Sequence, residues 1–115
     1  MGGDSFTTAS WGKTAEEAFQ SAVKQAEYDH GHAGYTGTIA EKDEFVMIQL
    51  PEHKDPIDLA DELIRDDERV GDKWGPCGCI EIPKDLYDRV TKECYMENKA
   101  KADDKLFLFF GNASS

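Results

Sequence analysis

A chain of 115 residues can build one ordinary hydrophobic core but not two, so we predict a single small domain over residues 1–115. Its 24 acidic residues against 13 basic ones give a formal charge of −11, which argues against direct binding to nucleic acid or to an anionic membrane. Aromatic residues make up 10% of the chain, enough buried surface to favour a folded domain over disorder.

The first predicted elements are a strand and a helix. Residues 5–11 are rich in threonine and aromatic side chains, a composition typical of a strand. Thr14 stands three residues before Glu17, which is the spacing of a capping box at the start of a helix. Small apolar residues then recur at helical spacing, including Ala18 and Ala22. We predict a helix that packs closely through a stripe made mostly of alanine.

A glycine-rich loop, residues 30–37, separates this helix from the next predicted strands. Its glycines tolerate positive φ angles and allow another backbone or a ligand to approach closely. Residues 36–50 then predict an antiparallel hairpin with a charged tip at residues 41–44. The second arm, residues 45–50, is apolar except at Gln49, so we predict a central position in its sheet.

A second helix is predicted from Asp55, which can cap it, with Pro56 in the first turn. Its apolar stripe consists of Ile57, Ala60, Leu63 and Ile64. Acidic side chains occupy the intervening positions, so we expect the outer face of this helix to be strongly negative.

The remaining chain predicts a strand at residues 77–82, a third helix that begins at Pro83, and an interior strand at residues 106–110. We expect residues 1–4 and 111–115 to be mobile tails. The predicted order is β-α-β-β-α-β-α-β. It favours an α+β domain in which about three helices pack on one face of a mainly antiparallel sheet.

The strongest candidate for a functional site is the acidic surface. Charged runs are usually just solvated, but a negative face can also imitate a phosphate backbone and bind a basic groove on another protein. The carboxylates of the hairpin tip and of the second helix are the candidates for such a partner-binding surface: Glu41, Asp43, Glu44, Asp58, Asp61, Glu62, Asp66, Asp67 and Glu68.

An alternative site is the glycine-rich loop itself. His30, His32, Tyr35 and Thr36 could line a pocket for a small ligand or nucleotide, or serve a hydrolytic reaction. The loop follows a helix rather than preceding one, and it lacks the lysine of a phosphate-binding loop. A structural turn is therefore the simpler interpretation.

Two further chemistries are weaker candidates. His30 and His32 together with Cys77 and Cys79 offer nitrogen and sulfur ligands for zinc, but a spacing of one residue is unusual for a zinc knuckle. A cysteine nucleophile would need a histidine beside it, and no catalytic signature surrounds either cysteine. We predict no metal and no cofactor.

The cysteine content points to a reducing compartment, because three is an odd number and the spacing is not that of a disulfide framework. No secretory leader is recognisable, and the longest apolar run, residues 106–110, has the length of a strand rather than a membrane span. We therefore predict a cytoplasmic protein without membrane contact, in the cytoplasm of a host cell if a phage encodes it.

In size, acidity and want of catalytic motifs the chain is similar to many phage and mobile-element proteins, among them anti-CRISPR and anti-restriction inhibitors. This similarity covers no particular residue. It implies a non-enzymatic protein that occupies a basic nucleic-acid-binding surface of a host protein. A small binding or hydrolytic domain stays open as the alternative, and the oligomeric state is left undetermined.

Overall fold

The computed structural model describes residues 3–30, 39, 42–71, 75–94 and 104–114. In chain order its elements are β1 (Gly3–Gly12), α1 (Ala15–His30), β2 (Phe45–Met47), α2 (Pro56–Asp66), α3 (Glu68–Gly71), β3 (Cys77–Glu81), a 3₁₀ turn (Lys84–Leu86), α4 (Tyr87–Glu93) and β4 (Lys105–Ser114). This mixture of helices with a four-stranded sheet confirms the predicted α+β class.

The sheet is built around β4. Its strands lie in the order β1-β4-β3-β2, and β4 pairs antiparallel with both β1 and β3. Residues 106–110 are almost completely buried, which confirms the interior position predicted for them.

The pairing of β1 with β4 extends over ten residues, from Gly3 beside Ser114 to Gly12 beside Lys105. Residues 3–4 and 111–114, which the sequence predicted as tails, therefore belong to this ladder. Their small residues carry little strand propensity of their own, so it is the partner strand that keeps them extended.

Two hydrophobic clusters cover the two faces of the sheet. On one face α1 packs Phe19 against Phe109. On the other face Leu59 of α2 and Val90 of α4 belong to the same cluster as Leu108. The sequence predicted helices on one face only, but they lie on both. The reason is that residues 106–110 are apolar at every position, and successive side chains of a strand point to opposite faces.

The start of α1 follows its predicted chemistry closely. The Glu17 amide donates to Thr14 Oγ1 at 3.2 Å, and Glu17 Oε2 accepts from the Lys13 amide at 3.0 Å. Ala18, on the alanine stripe, lies very close to the end of β1. A Cβ atom placed on Gly12 would lie 2.6 Å from the Ala18 nitrogen. The predicted close packing of this helix is therefore present.

β2 differs from its prediction in both partner and position. It pairs parallel with β3, from Phe45 beside Cys77 to Met47 beside Cys79. It is the outermost of the four described strands rather than a central one. The local sequence could not indicate this, because the parallel partner lies about thirty residues away and is reached through α2.

The predicted hairpin tip is also corrected. Lys42 is buried, and its Nζ donates to the Gly75 carbonyl at 2.8 Å. Ile39, predicted in the first arm, is buried, and its carbonyl accepts from the Lys42 amide at 2.9 Å. Residues 36–38 and 40 of that arm lie outside the described residues.

Candidate interaction surface and groove

The outer face of α2 carries most of the predicted acidic surface that the structure describes. Asp55 caps the helix by accepting from the Asp58 amide at 3.2 Å, as predicted. Pro56, Leu59 and Ala60 are buried beneath it. The exposed carboxylates of the helix are Asp58, Asp61, Glu62 and Asp66. Charge and packing are therefore carried by different residues of α2.

Two cations moderate the charge of this face. Lys54 Nζ lies 2.6 Å from Glu62 Oε1, and both side chains are partly exposed. Arg65 is exposed on the same helix, with its Nε donating to the Asp61 carbonyl at 3.3 Å. Among the described residues, no hydrogen bond or ion pair is made by the carboxylates of Asp61 and Asp66, and both side chains are exposed.

The last two predicted acidic residues of this region lie at and beyond the end of α2. Asp67 is the C-cap of α2, is only half-exposed, and donates its amide to the Leu63 carbonyl. Glu68 belongs to the next helix, α3, and its side chain lies outside the described residues. Asp67 and Glu68 therefore stay predicted members of the acidic surface.

The second part of the predicted surface lies before β2. Asp43 and Glu44 are both exposed. The Glu44 carbonyl accepts from the Cys77 amide at 3.2 Å, which places Glu44 at the amino end of the parallel strands. Glu41 lies outside the described residues. Asp43 and Glu44 precede β2, whereas α2 follows its carboxyl end. The two parts of the predicted acidic surface therefore adjoin opposite ends of that strand.

The residues of the alternative ligand site fall almost entirely outside the described part of the chain. α1 extends to His30, whose side chain is not described, and neither are His32, Tyr35 and Thr36. The ligand-binding interpretation of the glycine-rich loop therefore stays a prediction.

Two of the three cysteines lie in the core. Cys77 and Cys79 are fully buried on β3, in the cluster that packs under α1. Burial raises the pKa of Cys77 to about 12, although the charge of Lys42 opposes the rise. Burial also raises the pKa of Cys79 to about 12, and Cys77 and Glu81 add to it. A thiol with so high a pKa is protonated at neutral pH and is a poor nucleophile and metal ligand.

We expect Cys77 and Cys79 to react with a thiol reagent at pH 8 only after unfolding. The half-buried Cys94 is removed by Cys94→Ser, so that the two core thiols alone are counted in the native and the denatured protein. Folding raises both pKa values from 9.0 to about 12. The contribution of the two buried, neutral thiols to the free energy of unfolding is therefore complete below pH 9 and is lost as pH rises toward 12. Rapid labelling of the native protein at pH 8 would contradict the buried placement.

A groove of about 830 Å³ lies at the carboxyl ends of β2 and β3, and the sequence did not predict it. Residues 47–55, which lead from β2 into α2, form one wall. Glu81, Pro83, Asp85 and Leu86, which lead from β3 toward α4, form the other. Carboxyl ends of parallel strands are a common place for binding sites in proteins that contain them. Recognising β2 and β3 as a parallel pair would have been the signal to look there.

The walls of this groove are held in place by local contacts. Arg89 of α4 reaches Asp55, with Nε 3.3 Å from Oδ1, and its Nη1 lies 3.1 Å from Glu93 Oε2. The Lys54 amide donates to the Pro51 carbonyl at 3.3 Å, closing a turn in which His53 has φ 60°. Asp55, which lines the groove, therefore joins the start of α2 to α4.

No family model, no curated protein and no solved structure matches the chain. Within the described residues, no helix is both long and apolar enough to cross a membrane. The same residues contain no group of three or more histidine, cysteine or acidic side chains placed to hold a metal ion.

Proposed function

We propose that this chain is a non-enzymatic, acidic interaction protein that binds a basic surface of another protein through the outer face of α2. The negative charge suits a nucleic-acid-binding surface on the partner. A protein of this kind would be an inhibitor encoded by a phage or mobile element that acts in the host cytoplasm. The observation that supports the proposal is the separation of charge from packing on α2. Its exposed carboxylates are not needed to hold the helix on the sheet.

Electrostatic complementarity acts mainly on the rate and specificity of association, since a negative face steers toward a positive one and is screened by salt. The net charge of −11 provides the long-range field, and Asp61 and Asp66 provide groups without a described internal partner. The proposal therefore requires that affinity for the partner depend on these two carboxylates and on salt concentration. The free energy of unfolding should not depend on the two carboxylates.

The test begins with capture of a partner from a host lysate on the immobilised chain, followed by elution with duplex DNA. A partner whose basic groove is occupied should be released by the DNA, because both ligands compete for the same site. Reversing two charges with Asp61→Lys and Asp66→Lys should weaken its affinity by roughly tenfold or more at low salt, and by less at moderate salt. The free energy of unfolding should change by less than about 0.5 kcal/mol, since both side chains are exposed.

The matched control is Glu16→Lys, compared with the single variant Asp61→Lys. Both substitutions change the net charge equally on an exposed helical position, but Glu16 lies on α1, which covers the opposite face of the sheet. We expect Glu16→Lys to retain most of the affinity. Equal losses of affinity in both variants would show that only the net charge matters and not the face of α2. A partner that duplex DNA does not displace would contradict the nucleic-acid-mimic proposal.

A further inference from the structure

The groove at the carboxyl ends of β2 and β3 has an apolar floor. Met47 is 53% exposed, and with Tyr28 it is one of two large apolar side chains that are strongly exposed among the described residues. Ile48 and Leu50 beside it are half-buried, and Leu86 closes the opposite wall. Methionine adapts its shape to different apolar partners, which suits a recognition surface.

The rim of the same groove is acidic. Four carboxylates line it, against the single ammonium group of Lys54. Lys54 is paired with Glu62, and Asp55 is occupied by the α2 cap and by Arg89. The other acidic side chains of the rim are exposed: Glu52, Glu81 and Asp85. Glu81 has only a loose contact, 4.0 Å, with the exposed Lys105.

We propose that this groove binds an extended peptide segment of a partner protein, in which an apolar side chain fills the floor and flanking lysine or arginine residues meet Glu52 and Asp85. The size and open shape of the groove suit several residues of peptide, and the charge of its rim selects a basic sequence. The inference rests on the proposed function to the extent that the partner is the same basic protein, because the groove borders the first turn of α2. Peptide binding in the groove adds selectivity for sequence to the selectivity for charge that the outer face of α2 provides.

The experiment pans a displayed library of random twelve-residue peptides on the full chain. The selected peptides are synthesised with a fluorescent label, and their affinity is measured by polarisation at low and moderate salt. We expect the selected sequences to share an apolar residue with lysine or arginine on both sides. Peptide binding is measured without the partner protein, so it succeeds or fails independently of the capture experiment.

Two variants separate the floor from the rim. Met47→Gln removes the apolar contact without adding charge and should weaken peptide binding by roughly tenfold. Glu52→Gln removes one rim charge and should weaken it by about three- to fivefold at low salt, with less effect at moderate salt. The matched control Glu16→Gln makes the same chemical change on α1, outside the groove, and should leave peptide affinity unchanged.

Melting temperatures of all three variants verify that they fold. The proposal is overturned if no peptide is enriched, if the enriched peptides lack basic residues, or if Met47→Gln binds them as tightly as the parent. A small apolar amine, phenethylamine, serves as the competing occupant. If it raises the melting temperature of the parent but not of Met47→Gln while no peptide binds, the groove takes a small cation instead, and the peptide proposal fails.

Discussion

Phe109→Ala is expected to lower the free energy of unfolding by about 3–5 kcal/mol. Phe109 is fully buried on the central strand β4, and its ring centroid lies 5.7 Å from that of Phe19 and 5.9 Å from that of Phe45. Removing the ring takes away one aromatic contact between α1 and the sheet and one between β4 and β2. Close-packed neighbours collapse only partly into such a space, so a cavity cost adds to the lost burial.

Urea denaturation followed by far-ultraviolet circular dichroism measures this loss. The control is Tyr28→Ala, which truncates an aromatic side chain that is 87% exposed on the same helix as Phe19, and which should alter stability by less than about 0.5 kcal/mol. A loss for Phe109→Ala below about 1 kcal/mol would show that the cluster under α1 is not tightly packed.

Gly78→Ala is expected to be destabilising by about 1–3 kcal/mol, although alanine ordinarily favours a strand over glycine. Gly78 of β3 is paired with Phe110 of β4, and a Cβ atom at Gly78 would lie 2.4 Å from Phe110 Cζ. The Phe110 ring is fully buried and cannot swing into solvent. The added methyl group therefore forces a displacement within the cluster that α2, α3 and α4 cover.

A double-mutant cycle identifies the cause of the loss. In a Phe110→Leu background the side chain over Gly78 is shorter, so Gly78→Ala should cost clearly less than it does in the parent. Chemical denaturation of the four proteins gives the coupling energy. If Gly78→Ala costs the same in both backgrounds, the close approach of the ring is not the reason for glycine at this position.

The elements that the sequence predicted well are those whose signals are local. The α2 cap needs only Asp55, Pro56 and the amide of Asp58, all within four residues. The capping interaction of Thr14 with Glu17 is equally short-range. The burial of residues 106–110 followed from their composition alone, since a fully apolar run must be covered on both faces.

The features that the sequence did not predict depend on distant partners. Lys42 looks like an exposed turn residue, but it is buried, and its ammonium group donates to the carbonyl of Gly75, 33 positions away. The parallel pairing of β2 with β3 joins residues 45–47 to residues 77–79. The groove exists only because of that pairing, so no pattern confined to one stretch of the chain could indicate it.

Part of the predicted acidic surface lies among the described residues. The exposure of Asp58, Asp61, Glu62 and Asp66 was expected from the helical spacing and is confirmed. The pairing of Glu62 with Lys54 was not expected, because Lys54 lies in the turn before the helix and its direction depends on the backbone there. This pairing is the reason to place charge reversals at Asp61 and Asp66 instead.

The position of β4 between β1 and β3 has a consequence for the order of folding. β4 is the last of the four strands to leave the ribosome, yet it is the strand on which both of its neighbours depend for hydrogen bonds. Before it arrives, β1 has no partner in the sheet, and the short β2–β3 pair cannot be stable by itself. The loop closed by the β1–β4 ladder is nearly the whole described chain, so the entropy of closure is lost before most contacts form. Folding is therefore expected to be late, cooperative and slow for a chain of this size.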